Sequence, residues 1–128
     1  MRFASISLLL WALGSPLLAA EAFPPGSVRI LVQSSPLAGS QYYRLDELQR
    51  DIRVGDTLEL VREPDNRHDK NAVSVRWRGQ ALGYLPRKEN RAVAKAIDDG
   101  ESVRATVEKL TADADPWKRL RVSVFIEL

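Results

Sequence analysis

From Leu120 to Leu128 every second residue is apolar, with Leu120, Val122, Val124, Ile126 and Leu128 separated by Arg121, Ser123, Phe125 and Glu127. A period of two places one set of side chains on one face of an extended strand, and an apolar face must be covered by more sheet or by a helix. The same period recurs at Val28, Ile30 and Val32, at Leu58 and Leu60, and at Val103, Ala105 and Val107. Val73, Val75 and Trp77 share one face of a further strand and Ala72, Ser74 and Arg76 the other, so that strand is expected to be half buried. Arg78-Gly79 then allows a tight turn into a returning strand, Ala81 to Leu85.

Two segments break this rhythm. Leu45, Leu48 and Ile52 are spaced by three and four, which predicts one or two loose helical turns over the core. Ala92, Val93, Ala96 and Ile97 predict a short helix between Asn90, read as an N-cap, and Gly100, read as its stop. So short a helix persists only if its apolar stripe docks, and it is expected to plug one end of the sheet. The expected class is mainly β, a small six-stranded antiparallel barrel or half-barrel with one or two short helices, because closure removes exposed strand edges.

Residues 1–22 are set apart as an expected signal peptide. Met1-Arg2 is a basic start, Phe3 to Leu18 is apolar, and Gly14 and Pro16 break the run before Ala20-Glu21-Ala22 offers small residues at alternate positions. Cleavage is expected after Ala22, with Ala20 as the second choice. About 16 apolar residues fall short of the roughly 20 that a membrane-spanning helix needs. The mature domain, 23–128, is therefore expected in the periplasm or outside the cell, as a monomer with no membrane span.

The chain has no cysteine, which excludes disulfides, thiol chemistry and a lipid carried on cysteine. Removing Arg2 and Glu21 leaves the net charge at +2, so any nucleic-acid contact has to be local rather than a general phosphate attraction.

The distinctive stretch is Arg62 to Leu85. Its loop gathers Pro64, Asp65, Asn66, His68, Asp69 and Asn71. Pro-Asp-Asn is ordinary turn chemistry, and that structural role competes with ligand binding for Asn66 and, less strongly, for Asp69. His68 is the only histidine and has no cysteine near it, and the loop lacks the glycine of a calcium hand, so no metal is expected. No serine or threonine nucleophile stands in a recognisable context, and neither an enzyme activity nor a cofactor is expected.

Several ordered motifs resemble the HIRAN domain: Gly39-x-Gln41-Tyr42-Tyr43, Val54-Gly55-Asp56, Arg62 to Asn66, Asp69-Lys70-Asn71-Ala72-Val73, Gly83-Tyr84-Leu85-Pro86-Arg87 and Glu89-Asn90. They span essentially the whole mature chain, which is similar to short bacterial versions that stand alone. The resemblance implies an OB/SH3-like β-barrel and a non-catalytic module that recognises single-stranded DNA at its 3′-hydroxyl end. By the same resemblance Tyr42 and Tyr43 are platforms for base and sugar, Asn66 and Asp69 are polar contacts to the terminal nucleotide, and Arg87 is a phosphate contact. His68 and Tyr84 complete the implied site. Three positions depart from the family's DNA-binding members. Gln41 stands for an arginine, His68 for a tyrosine and Tyr84 for a histidine.

Adjacent tyrosines on a regular strand face opposite ways, so Tyr42 and Tyr43 share one pocket only if the backbone there is irregular. Trp117 beside Lys118 and Arg119 is read either as a base-stacking side chain or as a cap on the barrel mouth. The second functional reading is an exported protein-protein or envelope interaction module that uses the same groove for a peptide or glycan.

Overall fold

The computed structural model describes residues 26–128. The expected leader and its cleavage site lie outside those residues. Six strands, β1 (Arg29–Pro36), β2 (Thr57–Glu63), β3 (Ala72–Trp77), β4 (Gln80–Tyr84), β5 (Ser102–Leu110) and β6 (Leu120–Glu127), form one sheet in the order β1-β6-β5-β2-β3-β4. Every pairing is antiparallel. A 3-10 turn (Ser40–Tyr42) and three helices, α1 (Leu45–Leu48), α2 (Arg91–Asp98) and α3 (Pro116–Arg119), complete the described residues. None of these helices is long and apolar enough to cross a membrane.

The sheet bends until its outer strands touch at one place. Ala38, just past β1, bridges Tyr84 of β4, each N–H donating to the other's carbonyl at 2.8 and 2.9 Å. The expected barrel is thus an open sheet whose edges meet at a single seam. Gly83 permits the approach. A Cβ there would stand 2.5 Å from the Ala38 carbonyl oxygen, and the residue's φ of 153° lies where side chains are rarely found.

The core is built from the alternating residues. Val73 and Val75 of β3, Leu82 of β4, Val107 of β5 and Val122 and Val124 of β6 are almost completely buried. Leu45, Leu48 and Ile52 close one side of it, as their spacing predicts. Each large aliphatic side chain buried in this way contributes about 1.5–3 kcal/mol. Between β3 and β4, Arg78 and Gly79 both have positive φ (46° and 77°), the backbone of the two-residue turn that suits a twisted hairpin.

Four details differ from the expectations. Val28, Ile30 and Val32 form no buried face, being 60%, 49% and 44% exposed. The register shifts between Leu31 and Gln33, and only beyond that bulge does β1 turn Ser35, with Leu37 just past its end, into the core. β3 is covered on both sides, since Ala72 and Ser74 are buried as well, and Arg76 lies along that second face with its Nε 3.4 Å from Ser74 Oγ. At the far end of β6, Ile126 is half-buried and Leu128 exposed, because the strand runs past the core.

The fourth difference concerns Asn90. It stands at the N-cap position of α2, where its carbonyl accepts the Ala94 N–H at 2.9 Å, but its backbone is helical and its side chain makes no capping bond. The C-terminus behaves as expected, with Gly100 at φ 78° and Glu101 N–H reaching back 3.0 Å to the Ala96 carbonyl. α2 buries Val93, Ala94 and Ala96, while Ala92 faces outward.

Candidate functional site

The β2–β3 loop is shaped by its own side chains. Asn66 Oδ1 accepts from the N–H groups of His68 (2.9 Å) and Asp69 (3.2 Å), and Asn66 Nδ2 donates to Glu63 Oε1 at 3.1 Å. Glu63 Oε1 also accepts the Tyr84 hydroxyl at 2.9 Å, which joins the loop to β4. Asn66 therefore builds the corner first, and a single amide hydrogen remains for a ligand.

Asp69 is held from two directions. Its Oδ1 accepts from Asn71 N–H at 2.9 Å within the loop, and its Oδ2 accepts from Asn90 Nδ2 at 2.7 Å, across from the start of α2. A carboxylate has about four acceptor positions, so two stay open. Asn90 is 1% exposed, and its Oδ1 is the one buried side-chain polar atom among the described residues that has no hydrogen-bond partner.

At its other end α2 is clamped to the same loop by Arg62. The guanidinium meets Asp98 through Nε to Oδ1 (2.9 Å) and Nη2 to Oδ2 (3.1 Å). It also donates to the carbonyls of Ala72 (2.9 Å) and Lys70 (3.1 Å). This hydrogen-bonded cation holds the Asp98 carboxyl below its ordinary pKa.

The backbone at the tyrosine pair is irregular. Gly39, at φ 73°, starts the 3-10 turn that ends on Tyr42, and Tyr43 follows in an extended conformation. Both rings lie 4.0 Å from the point where a Cβ on Gly39 would stand. Tyr42 is nevertheless 81% exposed, whereas Tyr43 packs edge-on against Tyr84 with ring centroids 5.9 Å apart and planes at 62°. Burial, and then hydrogen bonding with Tyr43 and Glu63, pushes the Tyr84 phenol well above its ordinary value.

These elements enclose a cavity of about 290 Å³ on the seam of the sheet. Tyr43, Tyr84, Ala38, Ala72 and Leu85 give it an apolar lining, and Asn66, His68, Asp69 and Arg87 also border it. Six of the seven residues singled out from the sequence, Tyr43, Asn66, His68, Asp69, Tyr84 and Arg87, thus surround one space. Tyr42 stands outside it. The combination offers aromatic surface for a planar group, an acceptor for a hydroxyl and a cation for an anion.

Glu63, Arg62 and Asn90, which position the others, were not among the expected site residues. All three fall inside the quoted motifs, but their role depends on contacts that cross elements. Trp117 is 51% exposed and lies outside the buried core. Its helix lies against the 3-10 turn, where Ser40 Oγ donates to the Pro116 carbonyl at 3.4 Å, and it borders a groove shared with Lys109 and Lys118. Among the described residues, no three His, Cys, Asp or Glu side chains are grouped so as to hold a metal ion.

The family model of the HIRAN domain matches residues 30–128. The chain belongs to the HIRAN domain family. Two solved structures share the fold. A protein from Lactobacillus plantarum superimposes with a TM-score of 0.68 at 27% identity, covering 80% of this chain and 98% of that one. The HIRAN domain of human HLTF gives a TM-score of 0.58 at 23% identity, covering 82% of each chain.

Two curated relatives are Fanconi-associated nuclease 1 homologs. The one from Arabidopsis thaliana is 35% identical over 51 residues, which is 39% of this chain and 6% of the relative. The one from Oryza sativa subsp. japonica is 32% identical over 72 residues, 53% of this chain and 7% of the relative. The HIRAN domain described here thus corresponds to a small part of those larger proteins.

Proposed function

We propose that this HIRAN domain is a non-catalytic nucleic-acid-binding module that takes the 3′-hydroxyl end of single-stranded DNA into the cavity between Tyr43 and Tyr84. The observation that carries the reading is the arrangement of that cavity, with two tyrosine rings on one side and the Asp69 carboxylate at the rim. Membership in the HIRAN family supports it, as does the likeness to nuclease homologs.

In this reading the terminal nucleoside packs on Tyr43 and Tyr84, and stacking on an aromatic ring contributes about 1–3 kcal/mol per base without sequence preference. Asp69 accepts the hydrogen of a free 3′-hydroxyl in one of its two open positions. It would repel a 3′-phosphate, so the same group both attracts and excludes. Arg87 takes a phosphate further back along the strand. Tyr42 and Trp117, exposed on neighbouring elements, offer further stacking surface for bases that leave the cavity.

The deciding experiment is a titration at low salt with short oligonucleotides that differ only in a 3′-hydroxyl or a 3′-phosphate. Tighter binding of the hydroxyl form is expected, and equal or absent binding would remove the end-recognition reading. The same proposal includes export, with cleavage after Ala22. N-terminal sequencing of the mature protein from a periplasmic or culture fraction tests that part separately.

A further inference from the structure

A second groove, of about 450 Å³, opens directly off the aromatic cavity and shares Asn66, His68, Asp69 and Arg87 with it. Its remaining walls are Arg67, Lys70 and Asn71. The chemistry changes sharply between the two spaces. The first has an apolar lining, whereas three basic side chains, Arg67, Lys70 and Arg87, border the second.

The charged ends of all three are exposed and make no ion pair or hydrogen bond among the described residues. Asp69 is the one carboxylate in the lining, and Asn71 N–H and Asn90 Nδ2 already hold its two oxygens. Asp65, the nearest other acid in the loop, is not part of the lining. The groove is therefore a local excess of positive charge in a chain whose net charge is only +2. Exposed like charges around one concavity repel each other, and an anion seated among them relieves that repulsion.

We infer that Arg67 and Lys70 form a phosphate track for the sugar-phosphate backbone that leads into the aromatic cavity, beginning where Arg87 leaves off. The inference rests on the reading that a strand end occupies that cavity. It adds two contacting residues and a direction, since the terminal nucleoside sits among the rings and the preceding phosphodiesters run along the loop toward Arg67 and Lys70.

The test is a salt titration of wild type, Arg67→Ala, Lys70→Ala and the double variant with 3′-hydroxyl oligothymidylates. Arg104→Ala serves as the control for loss of a remote charge, since Arg104 pairs with Glu127 on β5 and β6. Each phosphate contact on a single strand contributes about 0.7 to the slope of log affinity against log salt. The double variant should therefore lose about 1.4 from that slope. Between about 50 and about 200 mM salt, wild type should then weaken about sevenfold more than the variant. The loss should appear with a hexanucleotide and be small with a dinucleotide, which has a single phosphodiester.

An unchanged slope in both single variants would overturn the track while leaving end recognition intact. Equally tight binding of an oligoglutamate peptide, weakened by the same two substitutions, would overturn its assignment to phosphodiesters. If wild type binds no oligonucleotide at all, the underlying reading fails, and the track fails with it.

Discussion

Asn90 and Asp69 lie 21 positions apart in sequence and share a hydrogen bond of 2.7 Å between a wholly buried amide and the carboxylate at the cavity rim. Burying an amide is tolerable only with a partner, so the pair ties the orientation of the carboxylate proposed to meet the strand end to the integrity of the core. Asp69→Ala leaves Asn90 with neither amide atom paired and should cost about 1–3 kcal/mol, read from urea unfolding. Asp69→Asn keeps one oxygen for the Asn71 N–H and sets its NH2 against Asn90, whose unpartnered Oδ1 accepts it once the Asn90 amide turns over, so this variant should lose less stability than Asp69→Ala. With its negative charge gone, it should lose most of the preference for a 3′-hydroxyl over a 3′-phosphate, so the two variants separate the structural role from the binding role.

Gly83→Ala drives a methyl group into the Ala38 carbonyl, 2.5 Å away, and into Leu37 Cγ, 3.0 Å away. Backbone cannot yield as a flexible side chain does. A loss of about 2 kcal/mol or more is expected in chemical unfolding, with faster amide exchange at Ala38 and Tyr84.

The two adjacent tyrosines should behave differently. Tyr43→Ala removes a wall of the cavity and should weaken oligonucleotide binding by about 1–3 kcal/mol, whereas Tyr43→Phe should keep most of it. Tyr42→Ala should cost less, because that ring stands outside the cavity. Equal losses from Tyr42→Ala and Tyr43→Ala in a fluorescence titration would mean that the strand takes another path.

Tyr84 gives the fold an alkaline limit. Its pKa in the folded chain is raised above the ordinary 10.0, so the native state holds a proton that the unfolded state gives up. The resulting stability is fully present below about pH 10 and declines as pH rises from there toward the folded value. In Tyr84→Phe this decline should flatten. The phenolate absorbance lost in that variant should belong to a group that ionises late. Asp98 acts in the opposite direction. Its folded pKa is lowered, so its contribution is present at neutral pH and is lost as acid protonates it, and Asp98→Asn should reduce the acid sensitivity.

Local pattern carried the architecture well. The period of two at Val73, Val75 and Trp77 and at Leu120, Val122 and Val124 reports burial because a strand has only two faces. It failed at Val28, Ile30 and Val32, where the residues are the right kind but the sheet runs beyond the core and a bulge resets the faces. Of the seven residues named from their types and spacing, six border one cavity. The supporting contacts of Asn90, Arg62 and Glu63 were not legible, since each bridges elements that are distant in sequence. Asn90 was read as a helix cap because capping is the local use of asparagine, and a tertiary partner took its amide instead.

The cavity lies where the outermost strands of the sheet come together, with Tyr43 brought by the chain that leaves one and Tyr84 carried by the other. A guest held by both rings would therefore act as a clasp on a ring of strands whose backbones share two hydrogen bonds at that point. Occupancy and closure become a single equilibrium, so slowed hydrogen exchange at the Ala38 and Tyr84 amides would report a bound ligand even when its identity is unknown.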